Sequence, residues 1–210
     1  MIHLPKWTLS KNEKMIHLYG PPASGKTTLA IQLSRKVYPR STIYFFTSHG
    51  SAIAKRAKQM LSKSYLEEFY LIKVYSLEDL LEKIQSIISL KKTIGLIVID
   101  YISDFVRGQI YKEEVKIQVR KILEKLFIFS SQKDCLVVVV NSFSIKNEAP
   151  LNSLVESFCD MSVYLSIKND KYNLESNGKN IKRTFVVNEN TSSSFFIDEK
   201  GIKDLIIVSE

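Results

Sequence analysis

The chain has 210 residues, of which 45% are hydrophobic and 25% charged, the usual balance for a folded globular protein. No apolar run approaches the roughly 20 residues of a membrane-spanning helix, and residues 1–14 show no secretory signal. We therefore expect a cytoplasmic protein with no membrane partner. The formal net charge of +8 permits a nucleic acid or an acidic protein surface as a partner and requires neither.

Up to Asn141 the sequence alternates short apolar runs with amphipathic segments. Apolar and β-branched runs predict strands at residues 16–19, 42–46, 70–74, 94–100 and 136–140. Helical spacing of apolar residues predicts helices at residues 26–37, 53–61, 77–90 and about 113–133. Ser76 is placed to cap the third of these helices. This alternation predicts an α/β fold, mainly a parallel twisted sheet with helices on both faces.

The pattern changes after Asn141. Residues 142–157 are polar and show no regular pattern of a helix or strand. Residues 161–167, 184–188 and 194–198 alternate apolar and polar side chains, and turns rich in Asn, Gly and Lys join them. We predict that all three are antiparallel strands extending one edge of the sheet. No linker divides the sequence, so we expect a single domain over residues 1–210, with residues 1–14 as a lead-in.

The segment between the first strand and the first helix carries a phosphate-binding motif. It has the P-loop pattern of glycine, four residues, glycine, lysine and Ser/Thr. The loop's backbone N–H groups and the helix N-terminus suit anionic oxygens. Lys26 is expected to reach the β- and γ-phosphates, the Thr27 hydroxyl to ligate Mg²⁺, and Thr28 to touch the α-phosphate. The predicted ATP-binding residues are Gly20, Pro21, Pro22, Ala23, Ser24, Gly25, Lys26, Thr27 and Thr28.

Asp100 ends the apolar run at residues 94–100. A carboxylate at that place can hold Mg²⁺ through its water shell, and an aspartate that caps the next turn is the alternative. We predict that Thr27 and Asp100 form the metal site, with ATP and Mg²⁺ as the cofactors.

Segments along the chain resemble the RecA/RadA recombinase-like ATPases, and among them the archaeal RadA paralogues. The segments that carry this likeness, in the family's order, are residues 20–33, 100–107, 136–141, 159–165 and 183–201, the last of which includes residues 195–201. The likeness runs from Leu9 to Asp204. It implies a RecA-like P-loop NTPase core.

Two positions depart from the family pattern. The recombinases place a glutamate just beyond the second strand to activate the attacking water, and Ser48 stands there in this chain. No carboxylate is expected nearby, and His49 is interpreted as an incidental loop residue rather than one that orients a water. The glutamine that senses the γ-phosphate after Asn141 is replaced by Ser142. The resemblance gives Lys26, Ser48 and Asn141 as the catalytic positions, and we expect weak or partner-dependent ATP hydrolysis.

The resemblance implies an accessory factor in DNA recombination and repair, because residues 1–14 leave no room for the family's helical N-terminal domain. The implied partners are DNA, single-stranded rather than double-stranded, and a RadA-type recombinase. In the loops that would face DNA, the basic candidates are Arg107, Lys112 and Lys146.

Two other interpretations stay open. One is a KaiC-like regulatory ATPase that acts on protein partners without DNA. The other is a small-molecule or nucleotide kinase, because Gly-Pro-Pro loops also open such enzymes. Kinases need an arginine-bearing lid over the phosphoryl group, and the C-terminal part of this sequence does not resemble one.

Overall fold

The computed structural model describes residues 13–37, 41–106, 109, 112–142, 151–167, 183–187 and 191–208. Within these ranges the strands are β1 Met15–Tyr19, β2 Thr42–Thr47, β3 Phe69–Lys73, β4 Ile94–Asp100, β5 Leu136–Val140, β6 Met161–Ile167, β7 Arg183–Val187, β8 Thr191–Asp198 and β9 Gly201–Val208. They form one nine-stranded sheet in the order β3-β2-β4-β5-β1-β6-β7-β8-β9. The fold is α/β, as the sequence predicts.

The strands β1 to β6 are parallel. The prediction that residues 161–167 form a strand is confirmed, but the prediction of its direction was wrong. β6 pairs in parallel with β1, from Ile16 opposite Met161 to Tyr19 opposite Tyr164. Its side chains alternate between buried and half-buried, a pattern more typical of antiparallel strands. Here the alternation reflects incomplete cover on one face of β6.

Helices cover both faces of the sheet. They are α1 Lys26–Val37, α2 Gly50–Met60, α3 Lys63–Glu67, α4 Leu77–Ile88, α5 Glu113–Gln132 and α6 Asn152–Glu156. The predicted cap of α4 is confirmed, since Ser76 Oγ accepts a hydrogen bond from Asp79 N at 3.2 Å. The short α3 was not predicted. In the described part of the chain, no helix has both the length and the apolar character needed to span a membrane.

Successive residues of the central strands enter two different cores. On β4, Leu96 and Val98 pack in the core that contains α1 and α2. Ile97 and Ile99 pack in the core that contains α4 and α5. Burial on both faces explains the continuous apolar run that marks this strand in the sequence.

The C-terminal strands β7, β8 and β9 continue the sheet in antiparallel fashion, which confirms the predicted antiparallel extension. The strand β9 itself was not predicted. Phe195 of β8 and Ile202 of β9 are buried in the same core as α1. On α2, the Arg56 guanidinium donates hydrogen bonds to the carbonyls of Asp198 and Glu199 in the β8–β9 turn. The turn is thereby fixed against α2.

Candidate nucleotide-binding site

The loop between β1 and α1 has an unusual backbone. Gly20, Ala23 and Gly25 have positive φ angles of 144°, 62° and 104°. A Cβ on Gly20 would lie 2.0 Å from the backbone oxygen of Leu165 on β6, so only glycine fits there. Gly25 opens α1, because its carbonyl accepts the first helical hydrogen bond, from Leu29 N at 2.9 Å. A chain that turns in this way presents successive backbone N–H groups to an anion.

The Lys26 side chain is folded onto this loop. Its Nζ donates to the carbonyl oxygens of Gly20 at 2.8 Å and Pro21 at 2.7 Å, and the residue is 1% exposed. Burial lowers the pKa of Lys26 to about 8, against the opposing effect of the Asp100 charge. The ammonium is thus largely removed from water, and an anionic ligand would restore the charge compensation that water no longer gives it.

The predicted metal ligands are in direct contact. Thr27 Oγ1 donates a hydrogen bond to Asp100 Oδ1 at 2.9 Å. The second carboxylate oxygen, Oδ2, is buried and has no hydrogen-bond partner among the described residues. Burial raises the pKa of Asp100 to about 7, although the Thr27 hydroxyl and the Lys26 charge both act to lower it. A buried carboxylate oxygen without a partner is costly, and a hydrated divalent cation would relieve that cost.

The remaining residues of the predicted set lie in the same loop and in the first turn of α1. Ser24 is buried, and its backbone N donates to Pro21 O at 3.3 Å. Pro22 and Ala23 are exposed, and Thr28 is half-buried. The structure therefore brings the loop, the helix start and Asp100 together at the carboxyl ends of β1 and β4.

The position of the missing glutamate contains a contact that the sequence did not reveal. Ser48 Oγ donates to Asp104 Oδ2 at 3.0 Å, and His49 Nε2 lies 3.0 Å from the same oxygen. Asp104 belongs to a 3-10 turn at Ile102–Val106, directly after β4. The expectation that no carboxylate lies near Ser48 was therefore wrong. The one available signal was that Asp104 follows Asp100 by four residues, in the turn after the acidic strand.

A comparison with protein families identifies this arrangement. The AAA domain family matches residues 12–124, which include the loop, α1, β2 and Asp100. The match covers more than half of the chain. The chain belongs to the AAA domain family.

Solved structures resemble this AAA domain chain over nearly its whole length. The RadB recombinase superposes with a TM-score of 0.70 at 22% identity, covering 91% of this chain and 90% of its own. A KaiC-like protein from the hyperthermophilic archaeon Pyrococcus horikoshii OT3 superposes with a TM-score of 0.66 at 16% identity, covering 93% and 89%. No curated protein sequence matches the chain. The predicted RecA-like P-loop fold is confirmed.

In this AAA domain chain, Asn141 follows β5 at the same edge of the sheet. Its backbone N donates to Leu18 O at 2.8 Å. Its side chain is fully buried, where Nδ2 donates to Asn152 Oδ1 at 2.9 Å and Oδ1 accepts from Ser142 N at 2.9 Å. These contacts connect the end of β5 to the start of α6. The catalytic role expected for Asn141 stays a prediction.

Of the three basic residues predicted to touch DNA, the structure describes one. Lys112 is exposed and immediately precedes α5. Arg107 and Lys146 lie outside the described residues. The DNA contacts also stay predictions.

Proposed function

We propose that this AAA domain chain binds Mg·ATP in the loop of residues 20–28 and hydrolyses it slowly. The observation that carries the proposal is the hydrogen bond between Thr27 and Asp100, with the second oxygen of Asp100 buried and unpaired among the described residues. This pairing joins the hydroxyl and the carboxylate that hold Mg²⁺ in P-loop proteins. In this chain it lies beside a desolvated lysine.

Each part of the site has a separate role in binding Mg·ATP. Backbone N–H groups of the loop and of the start of α1 bind the phosphate oxygens. When the nucleotide binds, Lys26 Nζ leaves the carbonyl oxygens of Gly20 and Pro21 and contacts the β- and γ-phosphates. Thr27 and Asp100 hold Mg²⁺, which neutralises phosphate charge when bound. We expect slow turnover because Ser48 stands in the place of the family's glutamate and Ser142 in the place of its γ-phosphate-sensing glutamine.

Thermal unfolding tests the nucleotide site. A ligand present at about 100 times its Kd stabilises the folded state by about 2.7 kcal/mol. We expect Mg·ATP to raise the Tm by several degrees, and ATP with a chelator to raise it less. Lys26→Ala should lose the shift, and Lys91→Ala, an exposed residue just after α4, should keep it. A wild-type Tm that does not respond to Mg·ATP contradicts the proposal.

The biological role that we propose is an accessory factor in DNA recombination and repair. The similarity to the RadB recombinase and the net charge of +8 support it. The partners proposed on that basis are single-stranded DNA and a RadA-type recombinase. Arg107, Lys112 and Lys146 are the proposed phosphate contacts.

Binding to a labelled single-stranded oligonucleotide over a salt series, with and without Mg·ATP, tests this role. A protein that neutralises several phosphates loses affinity steeply as salt rises. We expect each of Arg107→Ala, Lys112→Ala and Lys146→Ala to weaken binding and to flatten the salt dependence. Lys91→Ala serves as the matched control and should bind as the wild type does.

A regulatory ATPase that acts on protein partners is the second candidate. The superposition on a KaiC-like protein, with a TM-score of 0.66 over 93% of this chain, supports it. No oligonucleotide binding at low salt, together with normal Mg·ATP binding, would favour this candidate over the DNA-linked role.

A further inference from the structure

The loops after β2 and β4 bring a second group of functional side chains next to the nucleotide site. Thr47, the last residue of β2, lies opposite Asp100, the last residue of β4, in the parallel register. Ser48 and His49 therefore leave the sheet beside the carboxylate that contacts the phosphate loop. Asp104 arrives from the turn after β4 and meets them.

Asp104 is fixed in orientation by its surroundings. Its backbone N donates to Tyr101 O at 2.8 Å, and its side chain is 11% exposed. One carboxylate oxygen accepts from Ser48 Oγ and faces His49 Nε2, both at 3.0 Å. The carboxylate is therefore a rigid acceptor at the edge of the site.

The His49 ring is held by Asp104 at Nε2, and much of the side chain is exposed. Its side chain is 57% exposed, and its backbone N donates to Thr47 Oγ1 at 3.0 Å. Because the carboxylate accepts from Nε2, the proton of the neutral ring resides on Nε2. The lone pair is then on Nδ1, which makes no hydrogen bond within the described residues. An aspartate that fixes the tautomer of a histidine leaves the other nitrogen able to take a proton.

We propose that His49, oriented by Asp104, positions and deprotonates the water that attacks the terminal phosphate of the bound nucleotide. The water oxygen forms a bond to the γ-phosphorus, and a water proton passes to His49 Nδ1. The bond between the γ-phosphorus and the bridging oxygen breaks, and its electron pair leaves with ADP. His49 is the catalytic residue and Asp104 its positioning residue. This inference rests on the Mg·ATP binding proposed above.

The experiment combines binding, single-turnover hydrolysis and nuclear magnetic resonance on the full chain. Affinity for a fluorescent ATP analogue is measured first, and phosphate release with protein in excess second. General base catalysis is typically worth about 10²–10⁴-fold. We expect His49→Ala and His49→Gln to lower the hydrolysis rate at least tenfold, with nucleotide affinity within about twofold of the wild type. The matched control is Asp134→Asn, at a side chain that is 80% exposed, and it should leave both quantities unchanged.

The nitrogen-15 spectrum of the His49 ring tests the role of Asp104 without any turnover. We expect the wild-type ring to carry its proton on Nε2, and Asp104→Asn to shift it toward a mixture of tautomers and to slow hydrolysis. Circular dichroism and the nucleotide affinity show that each variant is folded.

Each failure has its own meaning. A wild-type protein that does not bind the nucleotide overturns the proposed function and this inference together. A protein that binds normally but releases no phosphate overturns this inference and the proposed slow hydrolysis, and leaves the proposed nucleotide binding in place. Hydrolysis that is unchanged in His49→Ala overturns this inference alone. If the His49 ring of the Asp104→Asn variant keeps the wild-type tautomer, Asp104 does not position His49.

Discussion

Gln32 on α1 and Ile202 on β9 exchange two hydrogen bonds. Ile202 N donates to Gln32 Oε1 at 2.7 Å, and Gln32 Nε2 donates to Ile202 O at 3.2 Å. Gln32 is 3% exposed, so both bonds are shielded from water. The C-terminal hairpin is thereby attached to the helix that begins at the phosphate loop.

We expect Gln32→Leu to destabilise the protein. It leaves a buried N–H and a buried C=O of Ile202 without partners, and each such group costs about 1–3 kcal/mol. Urea unfolding measures the loss, and hydrogen exchange should locate it in β9. Gln85→Leu, at an exposed position of α4, is the control and should change stability by less than about 0.5 kcal/mol. Equal stability of the two variants contradicts this account of the hairpin.

Close contact at Gly201 leads to a second prediction for the same hairpin. Its φ is +119°, and a Cβ there would lie 2.7 Å from Gln32 Oε1 and 3.1 Å from Met60 Cε. Gly201→Ala should therefore destabilise the protein by about 1–3 kcal/mol through backbone strain and crowding. Gly50→Ala is the matched control, because a Cβ at Gly50 meets no atom within 4 Å, and alanine favours its helix. Urea unfolding distinguishes the two, and a harmless Gly201→Ala contradicts the prediction.

Much of the parallel core was predictable because its strands and helices carry strong local signals. The runs at Ile94–Asp100 and Leu136–Val140 have the predicted boundaries, since burial on both faces requires an uninterrupted apolar sequence. The strand β9 escaped prediction because a charged pair, Lys203 and Asp204, interrupts its apolar residues. The direction of β6 depends on which strand it joins, and that is not a local property.

In the candidate site, too, some residues were predictable from local sequence and others were not. The P-loop and Asp100 were predictable because each is a short motif attached to a strand. Asp104 was not, because its contact with Ser48 joins residues 56 positions apart. The sequence shows that no glutamate directly follows β2. It does not show that the turn after β4 places the Asp104 carboxylate next to Ser48.

The burial of the His17 ring leads to a prediction of how the stability of the protein depends on pH. It is fully buried in β1, and neither ring nitrogen has a hydrogen bond among the described residues. Glu156 Oε1 lies 3.8 Å from Nδ1, beyond hydrogen-bonding distance. Burial lowers the pKa of His17 from 6.5 to about 3. The unfolded chain therefore binds more protons than the folded one between these values, and stability falls as the pH decreases from 6.5 toward 3, by at most about 1.4 kcal/mol per pH unit from this group.

We expect His17→Leu to stabilise the protein by about 1–3 kcal/mol at pH 7, because it removes two unpaired polar atoms from the core. It should also reduce the loss of stability on acidification. His17→Gln is the control, since it cannot titrate but keeps buried polar groups. It should reduce the pH dependence without the gain at pH 7. Urea unfolding from pH 7 to pH 4 measures both effects, and a slope unchanged in both variants contradicts the assignment.

Asp100 illustrates a conflict between stability and ligand binding. Its buried, unpaired oxygen and raised pKa mean that ionising this carboxyl costs folding free energy. Asp100→Asn removes this ionisation and should raise the Tm without nucleotide at pH 8. The same change should abolish the extra stabilisation that Mg²⁺ gives with ATP. Asp134→Asn should do neither, and an Asp100→Asn protein that still responds to Mg²⁺ would exclude Asp100 from the metal site.

Isothermal titration calorimetry of Mg·ATP with the wild-type protein and with Lys26→Ala tests the central claim most directly. The account predicts one site per chain in the wild type, with a Kd in the micromolar range, and at least a tenfold loss of affinity in Lys26→Ala. Lys91→Ala should match the wild type. No binding by the wild type at millimolar Mg·ATP, or equal affinity in Lys26→Ala, would contradict the assignment of the loop of residues 20–28 as a nucleotide site.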